Sequence, residues 1–221
     1  MTEIFSWPFA AEILPALLRG AVVTFIATIG GFFASLIIGA VLLALGRSKQ
    51  TAIAWLGRGL VELLRSTPLL IQVYVLFFVL PDAGIVLEPV TTGILALGLY
   101  HGAYVAEAYR AGLDSIPRGQ WDAIESLRFS RFAAYRYLIL PQAIAPLVPS
   151  LGNTFITMLK DTPILAAITV PELMFAANDA GSQSFRYVEP MTMAAIAYLV
   201  MSLIAAFAVF LLRQRLGTRY A

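Results

Sequence analysis

The chain has 221 residues and a mass of 24.0 kDa; 60% of it is hydrophobic, 13% is charged and its mean hydropathy is +0.83. Soluble domains run about 45–50% apolar and about 25% charged, which excludes a water-soluble globule. The net charge of +2 is spread between long apolar tracts, which excludes a nucleic-acid partner, and the absence of Cys with a single His excludes disulfides, Cys-ligated zinc, thiol nucleophiles and multi-His metal centres.

Crossing a hydrocarbon core about 30 Å thick takes about 20 predominantly apolar residues. In chain order, residues 21–45 carry no charge and form the first predicted span. Glu3 and Glu12 precede it without a basic n-region, so it reads as an uncleaved anchor. The second span, 60–80, holds Glu62 and Arg65, which lie three apart on one helix face and can pair. Residues 90–106 are charge-free and end on Glu107. Residues 138–159 are also charge-free but contain Pro141, Pro146 and Pro149, so that helix is expected to start after Pro141. Residues 164–177 are interrupted by Pro171 and Glu172, are too short to cross unaided, and read as a re-entrant or surface segment. Residues 191–212 make the fifth span. The predicted fold is all-α, a polytopic membrane protein with five transmembrane helices, and with no repeat or linker it is a single domain over 1–221.

Loops rich in Lys and Arg stay in the cytoplasm. Placing the loop after the first span inside puts Arg47, Lys49 and Arg58 there. It also puts Arg110, Arg118, Arg128, Arg131 and Arg136 inside after the third span, and Arg213, Arg215 and Arg219 in the tail. Eleven of the 15 basic residues then lie on one side, which predicts an N-terminus outside and a C-terminus in the cytoplasm.

The longest connection, about 110–141, exceeds the 2–8 residues usual between bundle helices, so it carries a function. Pro117, Arg118 and Gly119 mark a turn, and residues 120–127 form a short helix whose Trp121, Ile124 and Leu127 offer an apolar face. Such a helix fits a groove on a partner protein, or lies on the membrane surface.

Asp122, Ala123 and Ile124, then Arg128 after three residues, then Leu138, Ile139, Leu140 and Pro141 after nine more, resemble the EAA motif of permease subunits of ATP-binding cassette importers. The motif reads Glu-Ala-Ala, three residues, Gly, nine residues, Ile-x-Leu-Pro. Further stretches extend the likeness over nearly the whole chain: Arg19, Gly20 and Thr24, LVELLRSTPLLIQ at 60–72, AYVAEAYRAGLDSIPRGQ at 103–120, LPQAIAPLVPSLGNTFITMLKDT at 140–162 and VPELM at 170–174. Together they resemble the polar-amino-acid branch, the histidine/glutamine/arginine-type permeases. The resemblance implies a bacterial inner-membrane subunit working with a second permease chain, identical or related. It also implies two cytoplasmic ATP-binding subunits and an extracytoplasmic solute-binding protein. Ile116, Pro117, Arg118, Gly119, Gln120, Trp121, Asp122, Ala123, Ile124, Leu127 and Arg128 would couple the spans to the ATPases. Asp122 and Ile124 keep the acidic and apolar character of the motif, whereas Arg128 replaces Gly, at a cost of about 1 kcal/mol if that position has positive φ. Consistently, the chain has no GxxxxGK[ST] loop, so ATP and its hydrolysis belong to a partner and no cofactor or catalytic residue is assigned here.

For the solute path, Asn153, Thr157 and Lys160 share one helix face with Asp161 beside it. They either line the path, with Lys160 and Asp161 meeting a zwitterion, or Lys160 and Asp161 merely pair with each other. Tyr100 and Tyr104, in register with Glu107, form a second stripe with His101 adjacent, suited to a cationic or zwitterionic solute or else to ordinary interfacial packing. Glu107 with Arg110 reads as a helix-end ion pair, and Glu62, Arg65 and Thr67 as polar glue or a gate. An intramembrane hydrolase lacks a nucleophile with a base, and an ion-driven carrier lacks its usual repeat. A non-transporting scaffold subunit has no reason to carry the EAA spacing.

Overall fold

In hydrocarbon a single segment satisfies its backbone N–H and C=O groups only by bonding within itself, and every element of the computed structural model is helical. Residues 4–220 are described, without the side chains of Ala145 and residues 216–220, so Glu3 and the side chain of Arg219 lie outside the described residues. The helices are α1 (Trp7–Gly46), α2 (Thr51–Ser66), α3 (Leu69–Tyr74), α4 (Pro89–Asp114), α5 (Arg118–Ser126), α6 (Arg131–Ala134), α7 (Leu140–Asp161), α8 (Leu173–Ser184) and α9 (Val188–Tyr220).

At 40 residues, α1 is about 60 Å long, twice the apolar thickness of a bilayer, and it runs beyond the charge-free tract toward the N-terminus. It packs along α4 through small residues that let the backbones close in. A Cβ added to Gly39 would lie 2.6 Å from Val105, and one added to Gly98 would lie 2.6 Å from the Ala34 Cβ.

The second predicted span is broken. Pro68 has no N–H and holds Thr67 in extended backbone, so α2 and the 69–83 segment meet at 106°. Gln72 repairs the break, donating through Nε2 to the Leu64 carbonyl at 2.8 Å and to Thr67 Oγ1 at 2.8 Å. Glu62 and Arg65 do not pair as expected. Glu62 accepts from Ser66 Oγ at 3.2 Å, and the Arg65 guanidinium lies over the Tyr104 ring, 5.4 Å from its centre.

Two helical stretches, Trp7–Gly46 and Val188–Arg215, are long and apolar enough to span unaided among the described residues. The bent pairs Thr51–Ser66 with Leu69–Ala83 and Arg131–Ile144 with Pro146–Ile168 raise this to four. The 26 residues of α4 are long enough, but Tyr, His, Thr and Gly dilute their hydropathy below that of a self-evident span. α4 touches α1, α2, α3 and α7, so its surroundings rather than its composition keep it in the bundle.

Pro141 sits in the first turn of α7 rather than before it, since α7 begins at Leu140 after a π-helical turn, Tyr135–Ile139. The short segment after α7 coils as a 3-10 helix, Thr162–Ile168, and then leads to α8. A core of Ala27, Val73, Leu97, Met158, Leu165 and Ile168 joins α1, α3, α4, α7 and the 3-10 turn, and Tyr100 packs against it.

Candidate functional site: a polar track and a loop at one end of the bundle

The two stripes seen in the sequence meet. His101 is 3% exposed, and its Nε2 lies 3.1 Å from Asp161 Oδ2 without the geometry of an N–H···O hydrogen bond. The Tyr100 ring stands edge-on to the His101 ring at 5.2 Å, and the Tyr100 and Tyr104 hydroxyls are 3.4 Å apart. Lys160 and Asp161 do not pair. Asp161 turns to α4, while Lys160 faces α9 across a hollow of about 330 Å³ that it shares with Tyr198 and Ser202. Asn153, Thr157 and Lys160 are all exposed along one face of α7. Glu107 and Arg110 form the expected ion pair.

At the α4 end, the Ile116–Pro117 step stops the helix, and Pro117 enters α5 in extended backbone. Ile116, Ile139 and Ala143 are buried, and Trp121 and Ile124 pack onto them, with the Trp121 ring edge-on to Tyr135 at 6.0 Å. The three apolar positions of α5 therefore part company: Trp121 and Ile124 close the loop's own small core, while Leu127 stays 69% exposed beside Asp122 and Ala123. Arg118 and Gly119 are exposed, and Gln120 approaches Gln142 at 3.4 Å. Arg128 has φ 52°, as a helix-ending Gly position would. Arg47, from the end of α1, pairs with Asp114 at 2.9 Å and fastens this end of the bundle.

Sequence reasoning missed two buried carboxylates. Glu172 caps α8, accepting from the Met174 and Phe175 backbone N–H at 2.9 and 2.6 Å, and from Tyr198 Oη at 2.5 Å and Thr24 Oγ1 at 3.4 Å. Glu189 accepts from the Ser6 N–H at 2.8 Å and from Arg186, tying the start of α9 to the start of α1. An acidic residue just before an apolar run is the only trace of the first. At the same end, a hollow of about 520 Å³ between α1 and α8 is lined by Glu12, Arg19 and Asp179. Among the described residues no group of three or more His, Cys, Asp or Glu could hold a metal ion.

Residues 36–218 match the protein family described as binding-protein-dependent transport system inner membrane component. A probable amino-acid ABC transporter permease of Sinorhizobium fredii is 38% identical over 90% of this chain and 86% of its own. A glutamine transport system permease of Escherichia coli is 31% identical over 96% of this chain and 98% of its own. A crystal structure of an amino acid ABC transporter with histidines superposes with a TM-score of 0.89 at 32% identity, covering 97% of this chain and 100% of that one. An inward-facing methionine ABC transporter, at 20% identity and a TM-score of 0.79, shares the fold over 96% of this chain and 99% of its own.

Proposed function

The chain belongs to the family of binding-protein-dependent transport system inner membrane components, and on that premise we propose that it forms half of the path by which an ATP-driven importer takes in a polar amino acid or an amino-acid-like compatible solute. Members of this family are ABC transporter permeases of the inner membrane, which work with separate ATPase subunits and substrate-binding partners.

The reading places five spans in the membrane, α1, the bent α2–α3 unit, α4, α7 and α9, in a single domain. The N-terminus is outside and the C-terminus in the cytoplasm, in line with the Lys and Arg distribution. The loop over about 110–141 then faces the ATPases. There Asp122, Ala123, Leu127, Arg118, Gly119 and Arg128 form the contact surface, while Ile116, Pro117, Gln120, Trp121 and Ile124 shape it from within. A second permease chain completes the path, two cytoplasmic ATPases supply the energy and hold the ATP, and an extracytoplasmic binding protein delivers solute at the α1–α8 end.

One observation carries the proposal. Asn153, Thr157 and Lys160 lie exposed along one face of α7, a helix set in the membrane in this reading, where polar groups face water or protein rather than lipid. On the side of α7 that turns to α4, Asp161, held against the buried His101, and the Tyr100 and Tyr104 rings offer a carboxylate and aromatic faces to a solute ammonium or side-chain cation.

The test is uptake into proteoliposomes that hold this chain with its ATPase, partner permease and binding protein. The panel is radiolabelled glutamine, histidine, arginine, lysine, glutamate, cystine and the compatible solute glycine betaine. ATP-dependent uptake of at least one, absent without the binding protein, is the expected result. Uptake that persists with the ATPase omitted would establish an independent carrier instead, and stable purification with no ATPase able to bind would establish a scaffold.

A further inference from the structure

A cavity of about 360 Å³ lies between α1, α2 and α4, in the range of roughly 300–1,000 Å³ that takes small solutes. Its wall carries Arg47, Arg58, Glu62, Arg65, Glu107 and Arg110. Two of the four guanidinium groups are matched by carboxylates, Arg47 by Asp114 and Arg110 by Glu107. Among the described residues the other two have no carboxylate within ion-pair distance. Arg58 donates through Nε to the Ala54 carbonyl at 3.2 Å and lies over Trp55, and Arg65 lies over Tyr104. Seven residues apart on α2, they point to the same side with Glu62 between them.

Arg65 stacks on a residue ten positions before the end of α4, about 15 Å up the helix. Arg65 is exposed on the cavity wall, and in the proposed topology it lies within a span, where a cation without a counter-charge marks a solute pathway. A guanidinium with free donors suits a carboxylate, which it can bind through two hydrogen bonds. The cavity also adjoins the site above. Tyr100, Tyr104 and Glu107 run down one face of α4, so about 10 Å of helix separates the Asp161 contact from Glu107. Tyr104 belongs to both places, beside the Tyr100 hydroxyl and beneath Arg65.

Resting on the transport reading above, we propose that this cavity is a second solute station on the ATPase side of the path. Arg58 and Arg65 take the carboxylate of an amino acid leaving the Tyr100–His101–Asp161 site, and Glu62 and Glu107 receive its ammonium. Solute that accumulates on the ATPase side refills the station and slows further import.

The experiment uses the complete reconstituted transporter, with the amino acids of the uptake panel or their α-carboxamides supplied at millimolar concentration on the ATPase side. The free acid of the imported solute should slow uptake and its carboxamide should not. In Arg58→Gln/Arg65→Gln, about a hundredfold more free acid should be needed, the effect of two lost charge-assisted bonds at about tenfold each. Arg58→Lys/Arg65→Lys should recover part of the sensitivity, which a merely structural role for the two arginines would not restore. Equal inhibition by acid and carboxamide in the unaltered protein overturns the station, whatever the variants do. So does inhibition unchanged in the Gln variant, or none in the unaltered protein. A total lack of ATP-driven uptake would instead overturn the transport reading itself.

Discussion

Arg128 closes α5 in left-handed backbone: its N–H donates to the Glu125 carbonyl and the Phe129 N–H to the Ile124 carbonyl, both at 3.1 Å, the paired bonds of a Schellman cap. A side chain at φ 52° costs about 1 kcal/mol that glycine avoids. Arg128→Gly should therefore raise stability by about that amount and Arg128→Ala should not, read as the thermal midpoint of the detergent-purified complex. Loss of uptake in a stabilised Arg128→Gly would show that the guanidinium is kept for a contact with the ATPase. Glu172 is the opposite case, a buried group held by four donors from α1, α8 and α9. In Glu172→Gln one acceptor oxygen becomes a donor facing other donors, at a cost of about 1–3 kcal/mol. Cleavage within residues 173–184 by added protease should then speed up, whereas Tyr198→Phe, which removes one bond, should cost about 1 kcal/mol. Unchanged cleavage in Glu172→Gln would mean that α8 is held by packing alone.

The short helix α5 shows how much of an element the sequence reveals. Proline chemistry made a break at Pro117 readable, but Arg118 and Gly119, read as part of the turn, are the first residues of α5, which spans 118–126 rather than 120–127; the left-handed backbone at Arg128 stands where the motif has Gly. Which apolar residues face a partner was not readable, because the core that takes Trp121 and Ile124 comes from Ile116, Ile139 and Ala143, two of them in residues assigned to the next span. The consequence is a sharper mutation. Ile124→Arg would bury a charge in the loop's own core and fail to fold there, whereas Asp122→Arg with Leu127→Arg alters only exposed positions. The double variant should insert into the membrane normally yet lose its ATPase on co-purification. Retention of the ATPase would remove α5 from the coupling surface. The second span, read as continuous over 60–80, breaks at Pro68 by 106°, and Gln72 reaches back across the break to Leu64 and Thr67, a contact that no local pattern carries.

Across the whole molecule, helical spacing identified each polar stripe but not their meeting, since His101 and Asp161 touch only because α4 and α7 pack on a common core 60 residues apart in the chain. The membrane then sharpens the question that exposure alone poses. Asn153 and Thr157 are exposed on α7, a helix that the proposed topology sets in the membrane, where this face meets lipid, water or the second permease chain. If they faced lipid, replacing them with leucine would remove two polar groups from an apolar solvent and would leave transport unchanged or the chain more stable. If they line the path, the same change removes solvating partners from the solute, at about 1 kcal/mol for each hydrogen bond. Asn153→Leu with Thr157→Leu should therefore insert and assemble normally, bind ATPase, and import roughly tenfold or more slowly at saturating binding protein. Uptake at the unaltered rate would leave this face of α7 to lipid or to the second permease chain and move the path to the other side of Asp161.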